Sequence, residues 1–187
     1  MMLTVIILTK DEEKHIARAI RSVMPLAARV LVVDSGSTDK TVQIAKDLGA
    51  EVLYHRWKNY ASQFNWALDQ LPISSRWILR LDADEYLTPE LVDQIKSALS
   101  SLPDDIEGLV MTRAMVFMDR IMKHGGLYPL EVLRVFRFGR ARCEERWMDE
   151  HIKVQGPTKK LSGMIIDHNL NGLSWWTDKH NSYSSRE

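Results

Sequence analysis

Strand-sized apolar runs alternate with stretches of helical periodicity through the first hundred residues, and this restricts the chain to an α/β architecture. The runs are Thr4 to Leu8, Arg29 to Val33, Glu51 to Tyr54 and Trp77 to Leu81. Between the first two, Ile16, Ala19, Ile20 and Val23 recur at helical spacing before Pro25. Val42, Ile44, Ala45 and Leu48 then lead to Gly49, a good C-terminal cap. Phe64, Ala67, Leu68 and Leu71 share one face of a helix that starts at Tyr60 and stops at Pro72. Thr88 as N-cap, with Pro89 at the first position, opens a further helix that runs to Leu99. This rhythm predicts a mostly parallel, doubly wound central sheet with helices on both faces.

After Pro103 the rhythm changes. Gly108 to Phe117, Glu131 to Phe138 and Lys160 to Asp167 read as strands, Glu144 to Ile152 as a turn or short helix, and Leu173 to Glu187 as a helix. The length of 187 residues suits one domain over 1–187. Lys plus Arg (25) equals Asp plus Glu (25), and zero net charge argues against a nucleic-acid partner. The single cysteine, Cys143, gives no disulfide framework and suits a reducing compartment. Met1 leads straight into a strand-sized run rather than a leader peptide, and no run is long enough to cross a bilayer, so a cytoplasmic location is expected. The chain stops at Ser185-Arg186-Glu187 without a cap or breaker, as a chain cut short at its C-terminus would.

The chemistry is signalled by Trp77-Ile78-Leu79-Arg80-Leu81-Asp82-Ala83-Asp84-Glu85. Strand alternation places Asp82 and Asp84 on one side, with Ala83 pointing away. Two carboxylates held together repel each other unless a cation lies between them, and Mg²⁺ or Mn²⁺ takes carboxylate oxygens while leaving room for substrate phosphates. An isolated Asp-X-Asp is common by chance, and a solvated acidic turn after a strand gives the same triplet. Here it has company. Thr9-Lys10-Asp11-Glu12 follows the first strand, and Asp34-Ser35-Gly36-Ser37 follows the second. Ligands of open α/β sheets bind at such carboxyl ends. There is no Gly-x-Gly-x-x-Gly and no Gly-Lys-Ser/Thr, so neither a dinucleotide fingerprint nor a P-loop is present.

Four segments, Thr9-Lys10-Asp11-Glu12, Val32 to Thr41, Gln63 to Leu68 and Leu81-Asp82-Ala83-Asp84-Glu85, stand in an order that resembles family 2 glycosyltransferases. The resemblance implies the GT-A nucleotide-diphospho-sugar transferase fold, with a nucleotide-sugar-binding half over 1–102 and an acceptor and catalytic half over 103–187. Asp167-His168-Asn169 and Trp175 to Asn181 look like the bacterial subgroup of lipopolysaccharide core β-1,4-glucosyltransferases. The implied activity is inverting, metal-dependent transfer of a hexose from a nucleotide sugar, UDP-linked, to a bacterial surface glycan or glycolipid. Transfer to a polyprenyl phosphate and a non-catalytic nucleotide-sugar-binding module are the rival readings.

Carried over residue by residue, the resemblance places Asp34 on the base NH, with Thr9 and Asp11 lining the base pocket. Asp82 lies near the ribose and diphosphate, and Asp84 ligates Mg²⁺ or Mn²⁺. Gln63 and Asn65 stand where an Arg-Asn pair often lies near the nucleotide. His168 is a candidate to complete the metal shell. Asp39 matches a second loop Asp or caps the helix from Thr41. An inverting transfer needs a base for the acceptor hydroxyl. Glu150 stands first for that role and Asp149 second, with Glu144 and Glu145 behind them. Arg113, Arg134 and Arg137 either contact acceptor or phosphate or merely flank strands. The tail, with Trp175, Trp176, Lys179, His180 and Arg186, either packs its Trp pair on the domain or touches the inner membrane surface.

Overall fold

The structure, a computed structural model, describes residues 3–72, 75–124, 128–144 and 151–184. Its first half is a run of strands and helices: β1 (Leu3–Thr9), α1 (Ile16–Val23), β2 (Arg29–Asp34), α2 (Thr41–Asp47), β3 (Glu51–Tyr54), α3 (Tyr60–Asp69) and β4 (Trp77–Asp82). A three-residue strand β5 (Glu85–Leu87) and helix α4 (Pro89–Ser101) follow. The second half adds β6 (Gly108–Phe117), β7 (Arg120–Ile121), β8 (Leu130–Arg137), β9 (Arg142–Cys143), β10 (Ile152–Lys153), β11 (Thr158–His168) and α5 (Leu173–Ser184).

The main sheet has the order β3-β2-β1-β4-β8-β6-β11-β5, with β7 on β6. It is parallel across β3-β2-β1-β4, as the alternation of elements requires, and turns mixed where β8 runs antiparallel to β4 and β6. The long strands β6 and β11 run parallel, and β5 closes the edge antiparallel to β11. Strand β1 is buried on both faces and splits its side chains between two cores. Leu3, Val5 and Ile7 pack with α1, Ala45 of α2 and α4; Ile6 and Leu8 pack with α3, Phe136, Cys143 and Ile152. The predicted caps hold: Thr88 accepts from Leu91 N–H, and Gly49 sits at φ +81° just past α2.

Two features escaped the periodicity. β5 is too short, and too close to an acidic turn, to show a pattern. The segment read as one turn or helix over 144–152 ends in a strand: Ile152 pairs with Cys143 and Lys153 with Arg142, and Glu144 N–H donates to His151 O across the hairpin.

The topology fixes where a ligand can sit. The chain leaves β1 for β2 on one side, and β4 joins β1 on the other after crossing the opposite face through α3. Strand order therefore reverses between β1 and β4, and a crevice opens at their carboxyl ends.

Candidate active site

Thr9, Asp34 and Asp82 end β1, β2 and β4 at one edge of the sheet, and Thr9 pairs with Asp34 as Leu8 does with Asp82. β6 and β11 run in the same direction as β4, so His168 reaches this edge as well. Asp34 is buried and caps its own loop: one carboxylate oxygen accepts from Gly36 N–H at 2.8 Å and Ser37 N–H at 3.0 Å, the other from the Ser37 hydroxyl. Asp11, with a left-handed backbone at φ +54°, accepts from Thr38 N–H at 2.7 Å and donates its own N–H to Ser37 Oγ at 2.8 Å. The loops after β1 and β2 are thus one hydrogen-bonded unit. Asp39 belongs to it in a structural role, accepting from Thr41 N–H and Glu13 N–H. Thr9 is buried, and its hydroxyl has no partner among the described residues.

Gln63 and Asn65 face protein, not open solvent. Gln63 is fully buried; it meets His55 Nδ1 at 2.6 Å and donates to His55 O at 3.0 Å. His55 stacks on Trp66 with ring centroids 4.3 Å apart, and its N–H donates to Asp34 O. Among the described residues Gln63 therefore meets the end of β2 through His55. Asn65 donates to Cys143 O at 3.0 Å and accepts from Cys143 N–H at 2.9 Å, which ties the β9–β10 hairpin to α3.

The expected alternation of Asp82 and Asp84 is corrected by the turn that starts immediately after Asp82. β4 ends there, Ala83 is buried, and the two carboxylates take different partners, Asp82 with Arg134 and Tyr60 and Asp84 with Asn169. Asp82 is neutralised by arginine rather than waiting for a metal. Arg134 of β8 lies 3.3 Å from one oxygen, Tyr60 donates its hydroxyl to the other, and Arg80 donates to that hydroxyl at 2.6 Å while lying over the Tyr60 ring. Although burial opposes it, Arg134 and Arg80 hold the Asp82 carboxyl well below the ordinary carboxylate range. Burial pushes the Tyr60 phenol up, so it stays a donor.

Glu85, fully buried, lies at the centre of this array. It meets Arg134 at 2.6 Å and Arg113 at 2.9 Å, and accepts from Asp82 N–H at 3.0 Å. Arg113 also pairs with Asp167. Burial raises the Glu85 carboxyl, against the pull of Arg134 and Arg113. Of the three arginines left open by sequence, Arg134 is therefore a buried counter-charge and Arg113 a partly exposed one. Arg137 covers Trp77 and donates to Ile106 O and Pro103 O. Sequence reading passed over Glu85 and Tyr60. Their only signal was position: Glu85 directly follows the Asp-X-Asp, and Tyr60 opens a helix.

Asp84 turns toward the loop after β11. Asn169 donates to its carboxylate at 3.1 Å, and His168 N–H donates to its carbonyl at 3.1 Å. Burial, and then the nearby Arg18 charge, hold the His168 imidazole below its ordinary range, so the neutral ring is favoured. Its Nδ1 lies 3.4 Å from Arg18 and its Nε2 3.4 Å from Asp119. Among the described residues no three His, Cys, Asp or Glu side chains form a ready metal cage. The donor set still suits a hard divalent ion, because such an ion binds one or two carboxylates and takes its other oxygens from substrate phosphate. Asp84 would supply the carboxylate and His168, whose backbone N–H bonds the Asp84 carbonyl, a ring nitrogen, whereas Asp82 is committed to Arg134.

Asp149, Glu150 and Glu145 lie outside the described residues. Glu144 is described and pairs with Lys153 at 2.7 Å. In the tail, Trp176 packs on Phe117 with centroids 5.3 Å apart, and Lys179 lies over Trp175. A recess of about 430 Å³ lined by Arg140, Arg142, Lys153 and Gln155 lies elsewhere. Arg137, just before it, pairs with Trp77 at the start of β4, at the foot of the sheet.

Residues 4–152 match the family model described as glycosyl transferase family 2. An uncharacterized glycosyltransferase of Rickettsia typhi is 46% identical over 99 residues, covering 53% of this chain and 33% of that protein. The lipopolysaccharide core biosynthesis glycosyltransferase LpsC of Rhizobium meliloti is 30% identical over 147 residues, covering 76% of this chain and 53% of its own. The chain thus spans between a third and about half of the length of these relatives. Among solved structures, Staphylococcus aureus TarS 1-349 superposes with a TM-score of 0.60 at 16% identity, over 90% of this chain and 60% of that one. Mycobacterium tuberculosis glucosyl-3-phosphoglycerate synthase, in complex with Mg²⁺ and UDP, gives 0.50 at 22% identity over 61% of this chain and 43% of that one. The fold is that of GT-A glycosyltransferases.

Proposed function

From a chain that belongs to glycosyl transferase family 2, we propose an inverting, divalent-metal-dependent hexosyltransferase that uses a UDP-linked sugar and builds a bacterial surface glycan such as lipopolysaccharide core. The observation that carries the reading is the meeting of Thr9, Asp34 and Asp82 at the carboxyl ends of β1, β2 and β4, with Asp84 in the turn that follows. Support for the donor comes from the synthase of the same fold in complex with Mg²⁺ and UDP, and for the acceptor from the Rhizobium relative's description.

Each group then has a task. The buried Thr9 hydroxyl and the Asp34 loop offer polar partners for the base. Asp82, kept ionised by Arg134 and Arg80, accepts from ribose hydroxyls or faces the diphosphate through its hydrogen-bonded network. Asp84 and His168 would hold Mg²⁺ or Mn²⁺, which when bound offsets diphosphate charge and stabilises the leaving nucleotide. Removal of the acceptor hydroxyl proton falls to Glu150, with Asp149 next, on the segment between β9 and β10. Asn65 acts on that step at one remove, by pinning Cys143 at the hairpin base.

Among the described residues no helix is long and apolar enough to cross a membrane. A cytoplasmic site of action, with the exposed Leu173, Trp175 and Trp176 near the inner membrane surface, is part of the same proposal.

The experiment is thermal unfolding with UDP, GDP, CDP and TDP, each with and without Mn²⁺, followed by turnover of the selected UDP-hexose with delipidated core oligosaccharide or with polyprenyl phosphate. Ligands that bind the native state raise its melting temperature. A UDP-selective, Mn²⁺-dependent rise and transfer to the oligosaccharide are expected. A preference for another nucleotide, or transfer to polyprenyl phosphate alone, would overturn the donor or acceptor assignment respectively.

A further inference from the structure

We propose that Arg18 is the positioning residue that sets Asp84 and His168 against each other and so fixes the metal-binding end of the donor site; the inference rests on the metal-dependent reading above. Arg18 belongs to α1, whose core face is Ile16, Ala19, Ile20 and Val23, so its side chain leaves the helix on a different face. One guanidinium nitrogen donates to Asp84 O at 3.2 Å and to His168 O, and the other meets His168 Nδ1 at 3.4 Å. The plane of the group lies over the Tyr86 ring, 4.6 Å from its centroid, which restricts its rotation. A single planar cation therefore spans the turn after β4 and the loop after β11, which come from chain positions more than eighty residues apart.

The residues just before α1 show that this bridge is specific. His15 Nε2 accepts from Leu170 N–H at 2.8 Å, and Lys14 donates to Asn171 at 3.0 Å. Both grip the loop after β11 beyond His168. Of these three side chains it is Arg18 that bonds both the Asp84 turn and the end of β11. One nitrogen of the guanidinium holds both carbonyls while the other faces the His168 ring, a reach and spread of donors that the shorter amide of glutamine does not have. Arg18 touches no reacting atom in this arrangement and acts through Asp84 and His168.

The test is calorimetric titration of UDP into wild type, Arg18→Ala and Arg18→Gln, each with and without Mn²⁺. Wild type is expected to bind UDP more tightly with Mn²⁺. In Arg18→Ala the metal-free affinity should be unchanged, since the proposed base and ribose contacts, Thr9, the Asp34 loop and Asp82, lie at the ends of β1, β2 and β4 and none of them bonds Arg18. The gain from Mn²⁺ should fall by about tenfold, as expected from losing charge-assisted bonds. Arg18→Gln keeps part of the stem over Tyr86 and should show the same split, which serves if the alanine variant does not fold. An undiminished Mn²⁺ gain in a folded variant overturns the role of Arg18. Equal loss of metal-free and metal-dependent affinity also overturns it, because that outcome marks a merely structural residue. No Mn²⁺ gain in wild type overturns the metal-dependent reading itself.

Discussion

At the scale of single residues, the site is governed by buried charge rather than by the two aspartates alone. Arg134 is almost fully buried, and its partners Asp82 and Glu85 lie within 3.3 Å and 2.6 Å. Removing one member of a buried ionic set leaves the others uncompensated, which typically costs about 3–5 kcal/mol. Arg134→Met should therefore destabilise the fold by about that amount in urea unfolding at neutral pH. The sign of the pH effect follows from Asp82. Its native carboxyl lies below the unfolded value, so its contribution is complete above about pH 4 and is lost as pH falls through the native value. The Asp82 share of the wild-type advantage over Arg134→Met should accordingly persist down to about pH 4 and narrow below it. Asp34, Asp82 and Asp84 were legible in sequence because they stand at the ends of apolar runs. Arg134 and Glu85 were not, because a buried ion pair across β8 and β5 leaves no local pattern.

Among the secondary elements, the parallel half could be read in the sequence because propensity, caps and breakers agree there. The two-residue strands β9 and β10 could not, because they are specified by Asn65 and the core contacts of Cys143 and Ile152, not by periodicity. Asn65→Ala should loosen this hairpin and lower kcat while leaving UDP affinity near wild type; a loss confined to UDP affinity would restore Asn65 to the nucleotide. α4 and β11 meet at Gly163, whose N–H donates to Gln94. A Cβ built there falls 2.6 Å from Leu91 Cα, a backbone atom that cannot step aside. Gly163→Ala should cost on the order of 1–3 kcal/mol in thermal or urea unfolding, the usual range for overpacking a tight core.

For the molecule as a whole, strand order decides where the candidate site lies. The reversal between β1 and β4 makes the crevice, and the antiparallel β8 carries into its floor the arginine that neutralises Asp82. The α/β class and the strand-end location followed from sequence, whereas the mixed second half needed long-range pairings that periodicity does not encode. The central claim is that a metal–nucleotide complex binds at this edge. Amide NMR with Mn²⁺ and UDP tests it most directly, since the paramagnetic ion erases signals close to itself. Selective loss of the Thr9, Gly36, Asp84 and His168 amides is expected, with those of Leu102 and Gly139 at the foot of the sheet retained. Loss centred instead on the Arg140, Arg142 and Lys153 recess, with Asp84 and His168 unaffected, would contradict it.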